Sequence, residues 1–211
     1  MVNMIYHGNF ETCGAPSYNI DDNVTCALLA YKKWGEQTKG ISNPNVVAFS
    51  SVHPRYEKAC RNLDVEFRVA QALDINGLES LIDHNTVCII CSAPCNATGW
   101  IDPVKTMSKI AMDHSIGLHI DSAYGLLLPF VNSEDEETMA DFRTQGVTSI
   151  TVGLNNYAKL PPGVGVLLFR TKQLWRCTFF GYGQWPGGLY CTVGLVGSRS
   201  SSATAAAWTK I

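Results

Sequence analysis

The chain has 211 residues, of which 46% are hydrophobic and 16% are charged, which is enough apolar material to fill the core of one large domain. The formal net charge of -2 supplies no positive field, and no cluster of lysine and arginine with interleaved aromatic residues occurs, which disfavours nucleic acid as a partner. No apolar stretch approaches the roughly 20 residues needed to cross a bilayer, and no signal-peptide pattern is present, so the sequence predicts a protein that is neither secreted nor membrane-spanning.

Apolar runs rich in β-branched residues alternate with stretches of helical period, a pattern typical of a mostly parallel sheet covered by helices. The predicted fold class is therefore α/β. In chain order, the pattern predicts a helix over residues 26–34, a strand over 46–50, a helix over 54–63, a strand over 65–69, a helix over 77–83, a strand over 86–92, a helix over 104–115 and a strand over 117–121.

The pattern of the remaining residues predicts strands over residues 149–152 and 165–169, preceded by an acidic surface loop over 133–137. Pro161, Pro162 and Gly163 lie between these strands and predict a turn, so the two strands are expected to pair with each other without a crossover helix. Residues 203–208 are strong helix formers that no capping residue or proline follows, and this pattern suggests part of a longer protein.

The cysteines, eight in all, are scattered singly through apolar runs, apart from Cys88 and Cys91, which match the bare CxxC pattern. Strand alternation would direct these two side chains to opposite faces of a sheet, and no second ligand pair follows at zinc-finger spacing. A buried-core role is therefore favoured over metal binding or redox chemistry, and no metal site is predicted.

Polar side chains follow three of the apolar runs directly: His53 after the strand over 46–50, Ser92 at the end of the strand over 86–92, and Asp121 at the end of the strand over 117–121. In open α/β sheets, ligands bind beyond the carboxyl ends of the strands. Taken alone, each has an ordinary structural interpretation: a surface or capping histidine, a Ser-Ala-Pro turn and a helix-capping aspartate. Because all three fall at one edge of the predicted sheet, the sequence predicts a ligand site there.

Longer motifs around these positions occur in the order found in a known family. They are Ser51-Val-His53-Pro-Arg-Tyr-Glu-Lys58-Ala59, Ser92-Ala-Pro94 with Gly99 and Ile101-Asp-Pro103, His119-Ile-Asp121-Ser-Ala123 with Gly125, Gly146-Val-Thr-Ser149-Ile, Tyr157 with Pro161 and Gly163, Trp185-Pro-Gly-Gly188-Leu-Tyr190, and Gly197-Ser-Arg199. In these motifs the chain resembles the group II pyridoxal-phosphate-dependent decarboxylases and lyases, and among them it is most similar to the sphingosine-1-phosphate lyases. The likeness extends over nearly the whole chain.

The resemblance implies an aminotransferase-like domain of fold type I, the large cofactor domain, without the small C-terminal domain that completes such proteins. Residues 1–211 would form this single domain, incomplete at both ends. The implied cofactor is pyridoxal 5'-phosphate, and the implied substrate is sphingosine 1-phosphate or a similar long-chain amine phosphate of sphingolipid catabolism. A homodimer, or a heterodimer with an intact relative, and an intracellular location, cytoplasmic or at the endoplasmic reticulum, follow from the same resemblance.

Residue roles follow from the resemblance as well. Asp121 would face the pyridine nitrogen, where a carboxylate keeps that nitrogen protonated and lets the ring withdraw electrons. His53 would stack on the ring face, and His119 would lie beside the cofactor. The residues expected to line the cofactor pocket are Ser92, Ala93, Ala123 and Asn155.

The chain departs from the family at the Schiff-base lysine. A His-Lys pair precedes the tyrosine that matches Tyr157 in the family, whereas this chain has Asn155 and Asn156. A carboxamide is not nucleophilic, so Asn156 cannot capture the cofactor covalently. Lys159 lies three residues later and is a substitute only if the loop is re-threaded; otherwise it is a solvated loop lysine.

A second departure lies at the phosphate loop, where the family has Gly-Gly-Thr-Glu-Ser at the start of a helix whose free amides bind phosphate. This chain has Asp22-Asn-Val-Thr-Cys26 before the predicted helix. Loss of the glycines hinders close backbone approach, and Asp21 and Asp22 would repel a phosphate dianion, although Thr25 retains a hydroxyl to donate.

Three functions therefore stay open from the sequence. The first is a pyridoxal-phosphate-dependent carbon–carbon lyase. The second is an inactive paralogue or fragment that acts as a binding or regulatory subunit, as the changes at Asn156 and at the phosphate loop suggest. The third is noncovalent binding of another phosphorylated ligand in the same cleft.

Overall fold

The computed structural model describes residues 2–17, 19–131, 135–156, 160, 164–198 and 200–210. The strands are β1 (Cys13–Ser17), β2 (Asn45–Phe49), β3 (Glu66–Ala70), β4 (Thr86–Ser92), β5 (Gly117–Ser122), β6 (Val147–Gly153), β7 (Gly165–Phe169), β8 (Phe179–Tyr182) and β9 (Tyr190–Val193). The helices are α1 (Val2–Ile5), α2 (Ile20–Lys39), α3 (Arg55–Leu63), α4 (Ile75–Ser80), α5 (Val104–Asp113), α6 (Leu128–Val131), α7 (Lys172–Arg176) and α8 (Ser201–Lys210).

Seven strands form one twisted sheet in the order β1-β7-β6-β5-β4-β2-β3. The strands from β3 to β6 pair in parallel, while β7 pairs antiparallel with both β6 and β1. This arrangement confirms the α/β class and the mostly parallel sheet flanked by helices. The direct pairing of β6 with β7 also confirms the expected strand pair, although its turn residues, Pro161 to Gly163, lie outside the described residues.

The sheet buries both of its faces, as a parallel sheet must. One face packs Leu118 and Ile120 of β5 against α5, while the other packs Val46 and Ile90 against α2 and α3. We call these the α5 face and the α2 face. Cys91 lies on the α5 face and Cys88 on the α2 face, both fully buried, so the predicted alternation of the CxxC pair is confirmed.

Helix α2 corrects the sequence analysis, because it begins at Ile20 and not at residue 26. Asn19 caps it by accepting a hydrogen bond from the amide of Asp22, and Asp21 and Asp22 occupy the first turn, where acidic side chains complement the helix dipole. The apolar residues at helical spacing, which predicted the helix, become regular only from Cys26 onward. The stretch interpreted as a degraded phosphate loop is therefore the start of a regular helix.

Several short elements have no counterpart in the sequence analysis. Strand β1 adds to the edge of the sheet through β7, and β8 pairs with β9 in a separate two-stranded sheet. Their sequences contain glycine and proline or are largely exposed, so they lack the buried β-branched pattern that marks the central strands. Within the described ranges, no helix has both the length and the hydropathy that a bilayer crossing requires.

Candidate functional site

Asp121 lies at the carboxyl end of β5, directly beside Ser92 of β4 in the strand register. Both side chains are buried on the α2 face, and one carboxylate oxygen of Asp121 accepts a hydrogen bond of 3.2 Å from the amide of Ala123. Burial raises the pKa of Asp121 to about 6, and the nearby guanidinium of Arg55 limits this rise. At neutral pH the cleft therefore holds a buried carboxylate whose charge is only partly compensated.

Asp102 fixes the ends of two neighbouring strands around this carboxylate. Its side chain accepts hydrogen bonds from the backbone amide of Ser92 at 2.7 Å and from the hydroxyl of Ser51 at 2.9 Å. The hydroxyl of Ser92 itself is buried and has no hydrogen-bond partner among the described residues. Asp102 stands inside one of the sequence motifs, but the sequence predicts no role for it, because spacing along the chain does not reveal its burial beside a strand end.

His53 lies between β2 and α3, at the same edge of the sheet, and is half-buried. Its Nδ1 accepts a hydrogen bond of 3.1 Å from the amide of Arg55, which fixes the orientation of the ring. Partial burial and the charge of Arg55 lower the pKa of His53, so its imidazole is neutral at physiological pH. The three strand-end positions predicted from the sequence thus lie at one edge of the sheet.

His119 lies in a fully buried polar network on the α2 face. Its Nδ1 is 2.7 Å from the hydroxyl of Ser149, and its Nε2 lies 3.0 Å from the hydroxyl of Tyr56 and 3.2 Å from that of Thr151. Burial lowers the pKa of His119 to about 3, which keeps the ring neutral. The network fills the space beneath Asp121 and supports the strand ends.

Asn155 and Asn156 follow β6 and lie at the same edge of the sheet as Asp121 and Ser92. The Asn156 amide donates a long hydrogen bond of 3.4 Å to the carbonyl of Ala123, and the Asn155 amide donates one of 3.3 Å to Asn156. Gly153 makes this approach possible, because a Cβ there would lie 2.1 Å from the Ala123 carbonyl oxygen. Tyr157 and Lys159 lie outside the described residues.

The start of α2 meets the cleft from the opposite side. Because Asn19 already caps the helix, its amides are less available to a phosphate than an uncapped helix start would be. The hydroxyl of Thr25 was expected to donate to a ligand. It donates instead to the carbonyl of Asp21 within the helix, at 2.8 Å, so its proton is not available to a ligand. Asp21 forms ion pairs with Lys58 at 3.3 Å and, more loosely, with Arg55 at 3.9 Å.

A cavity of about 180 Å³ lies between these elements. The residues that line it are Asn19, Ile20, Arg55, Ala123, Tyr124, Asn155, Asn156 and Val164. A larger cavity of about 700 Å³ lies beside α5 and contains none of the predicted site residues. We therefore take the smaller cavity, with Asp121, Ser92 and His53 at the same edge of the sheet, as the candidate site.

Comparison with known proteins agrees with this location. Residues 56–184 match the family model described as aminotransferase class-V. The chain is 31% identical to sphingosine-1-phosphate lyase 1 of Rattus norvegicus over 97% of its own length, and it covers 37% of that protein. It is 33% identical to a probable L-tyrosine/L-aspartate decarboxylase of Methanothrix thermoacetophila, with 97% of this chain and 54% of that protein covered.

Among solved structures, the sphingosine-1-phosphate lyase of Burkholderia pseudomallei superposes with a TM-score of 0.94 at 30% identity. The match covers all of this chain and 52% of that structure. The chain therefore spans about half the length of this relative, and a smaller share, 37%, of the rat lyase. The fold is thus that of the large domain of fold type I pyridoxal-phosphate proteins. The chain belongs to the aminotransferase class-V family of pyridoxal-phosphate-dependent proteins, and sphingosine-1-phosphate lyases are among the proteins to which it is similar.

Proposed function

We propose that this chain is a cofactor domain of the carbon–carbon lyase type that binds pyridoxal 5'-phosphate without a covalent link. The reaction that we assign to it on the family likeness is cleavage, of the aldehyde-lyase or carboxy-lyase kind, of sphingosine 1-phosphate or a similar long-chain amine phosphate. The observation that carries this proposal is the buried carboxylate of Asp121 at the carboxyl end of β5.

The described residues fit the nitrogen edge of the cofactor ring. Asp121 has a pKa of about 6, so it is mostly ionised at neutral pH and offers a buried anion to a protonated ring nitrogen. The unpartnered hydroxyl of Ser92 lies on the neighbouring strand, in register with Asp121, and is available to a ring substituent. The neutral imidazole of His53 is held at the same edge and is suited to stack against a ring face.

The described residues do not fit a covalent link or a tightly held phosphate at α2. Asn156 offers a carboxamide where a primary amine is needed. The start of α2 is capped by Asn19 and carries Asp21 and Asp22 in its first turn, so it opposes a dianion there. A cofactor held in this cleft would therefore depend on Asp121 and on polar contacts, and its affinity is expected to be low for the family.

When bound, the cofactor supplies a ring that withdraws electrons from a substrate carbon. The chain's own contribution is to orient that ring and to keep its nitrogen protonated through Asp121. Asp102 holds the ends of β2 and β4 in place by its bonds to Ser51 and Ser92, and the network around His119 fills the space below. We further propose a phosphorylated amine as substrate, a dimeric state, and a cytoplasmic or endoplasmic-reticulum location, on the family likeness alone.

Titration of the purified chain with pyridoxal 5'-phosphate, followed by calorimetry and by cofactor absorbance, tests the proposal. Saturable binding that dialysis removes is expected, because Asp121 provides recognition and no described residue provides an amine at the family's lysine position. The deaza analogue of pyridoxal 5'-phosphate is the control ligand, since it keeps the aldehyde, the ring hydroxyl and the phosphate but has carbon in place of the ring nitrogen, and it should bind more weakly. Equal binding of both compounds, or of neither, would contradict the role of Asp121.

A second candidate function is that of a noncatalytic subunit that pairs with itself or with an intact relative. The amide pair Asn155 and Asn156 favours it, because it removes the group on which covalent capture depends. Co-expression with a full-length sphingosine-1-phosphate lyase, followed by affinity purification through a tag on this chain, tests the role. A stable mixed dimer with altered lyase turnover is expected; recovery of this chain without the lyase argues against it.

A further inference from the structure

The guanidinium of Arg55 lies at the cleft, and not all of its N–H donors have a hydrogen-bond acceptor among the described residues. It is the first residue of α3, and its side chain is only 11% exposed. Its Nε is buried and has no hydrogen-bond partner among the described residues. Withdrawing a charged donor from water without an acceptor is unfavourable, so an acceptor supplied by a ligand would stabilise this arrangement.

The nearest acid does not satisfy Arg55. Asp21 lies 3.9 Å from Nε, which is beyond hydrogen-bond distance, and the Asp21 side chain is 53% exposed. Asp21 also has a closer cation, because the ammonium of Lys58 is 3.3 Å from its other carboxylate oxygen. Asp21 can therefore stay neutralised by Lys58 when an anion binds to Arg55.

Arg55 borders two cavities, and Asp21 and Asp22 line the larger of the two. The smaller one, the candidate site, is lined by the carboxamides of Asn155, Asn156 and Asn19 and by no Asp or Glu. The hydrogen bonds that now join Asn155 and Asn156 to their neighbours are 3.3 and 3.4 Å long, so a better acceptor would replace them readily. At about 180 Å³, the space is smaller than the roughly 300 Å³ at which sites for whole ligands begin, and it suits one anionic group.

We propose that Arg55, together with Asn155 and Asn156, binds the phosphate group of a ligand in this cavity. The inference rests on the proposed function, because the cavity belongs to the same cleft, and it names the group that the cleft recognises. A guanidinium holds phosphate by charge-assisted hydrogen bonds and carboxamides add further donors, so the contact needs neither the start of α2 nor an amine. The phosphate can come from the cofactor, from an amine phosphate substrate or from solution.

Calorimetric titration with inorganic phosphate, pyridoxal 5'-phosphate and pyridoxal tests this site in three arms. The variant Arg55→Met keeps the length of the stem and removes the charge, and it should bind both phosphate compounds about tenfold more weakly or worse. Arg61→Met is the matched control, since Arg61 lies on the same helix but is 78% exposed and paired with Glu57. It should bind like the wild type.

Arg55→Lys guards against a folding defect, because it restores a cation at the same place. It should melt like the wild type and bind inorganic phosphate with an affinity between those of the wild type and of Arg55→Met. Phosphate binding that is unchanged in Arg55→Met, or absent from the wild type, would overturn the inference.

The arms also separate this inference from the proposed function. If pyridoxal binds while inorganic phosphate does not, the ring site stands and the Arg55 site fails. If inorganic phosphate binds through Arg55 while neither pyridoxal compound binds, the Arg55 site stands and the proposed function fails.

Discussion

Replacing Asn156 with lysine is expected to convert a reversible cofactor complex into a covalent one. The Asn156 side chain already reaches across the cleft to the carbonyl of Ala123, so a longer amine at this position can reach a ring held by Asp121. Borohydride treatment of the Asn156→Lys variant with pyridoxal 5'-phosphate should give a stable adduct at the introduced lysine. Turnover of sphingosine 1-phosphate should rise by at least about a hundredfold over the wild type, the size of effect that one positioned acid–base group provides.

Asn155→Lys is the matched control for this gain. Asn155 borders the same cavity but donates to Asn156 and not to the Ala123 segment, so an amine there is displaced from the position of the family's lysine. It should give neither adduct nor turnover. Measurable wild-type turnover equal to that of Asn156→Lys would show that the chain catalyses without this amine, and it would rule out the noncatalytic role.

Asp121→Asn is expected to stabilise the cofactor-free chain at neutral pH and to abolish cofactor binding. The pKa of Asp121 is about 6 in the folded chain and close to the ordinary value of 3.8 in the unfolded chain. Between these values the folded state binds more protons, so stability falls as pH rises from about 4 to about 6, and the full penalty is present at pH 7. That penalty is about 3 kcal/mol at most, because each pKa unit corresponds to about 1.4 kcal/mol.

Thermal or urea unfolding of this variant shows whether the substitution raises or lowers the stability of the chain. Asparagine keeps the oxygen that accepts the hydrogen bond from the Ala123 amide. The variant's free energy of unfolding should therefore exceed that of the wild type at pH 7 and equal it near pH 4. Asp141→Asn is the control of opposite sign. Asp141 is buried and its side chain accepts hydrogen bonds from Nε and Nη2 of Arg143, so this variant should be less stable than the wild type at pH 7. A loss of stability in Asp121→Asn at pH 7 would mean that Asp121 has a structural partner.

The sequence predicted the central sheet because its strands are buried on both faces. The run 87–91 is apolar without interruption, and 117–121 carries Leu118 and Ile120 on either side of a single histidine; such runs are typical of parallel strands covered by helices. It missed β1, β8 and β9, which carry Gly14 and Pro16 or are largely exposed, so the same signal is absent. It also began α2 six residues late, because the capping residue and the acidic first turn resemble a loop in composition.

The candidate site was predictable where chain order alone determines position. Ser92 and Asp121 lie at the carboxyl ends of parallel strands and His53 lies in the loop after another, and parallel strands bring their carboxyl ends to one edge. Arg55 and Asp102 were not predicted, since their importance depends on burial and on partners that lie far away in the sequence. The hydrogen-bond partners of His119 were not predicted for the same reason: Tyr56 and Ser149 reach it from other elements.

The central claim is that the cofactor binds without a covalent link. The most direct test is to saturate the wild-type chain with pyridoxal 5'-phosphate, reduce it with borohydride and measure its mass. Noncovalent binding predicts saturable absorbance before dialysis, and after reduction and denaturation a mass equal to that of the unmodified chain. A phosphopyridoxyl group mapped to Lys159, or to any other lysine with stoichiometric yield, would contradict the account, because it would show that the chain has replaced the missing amine.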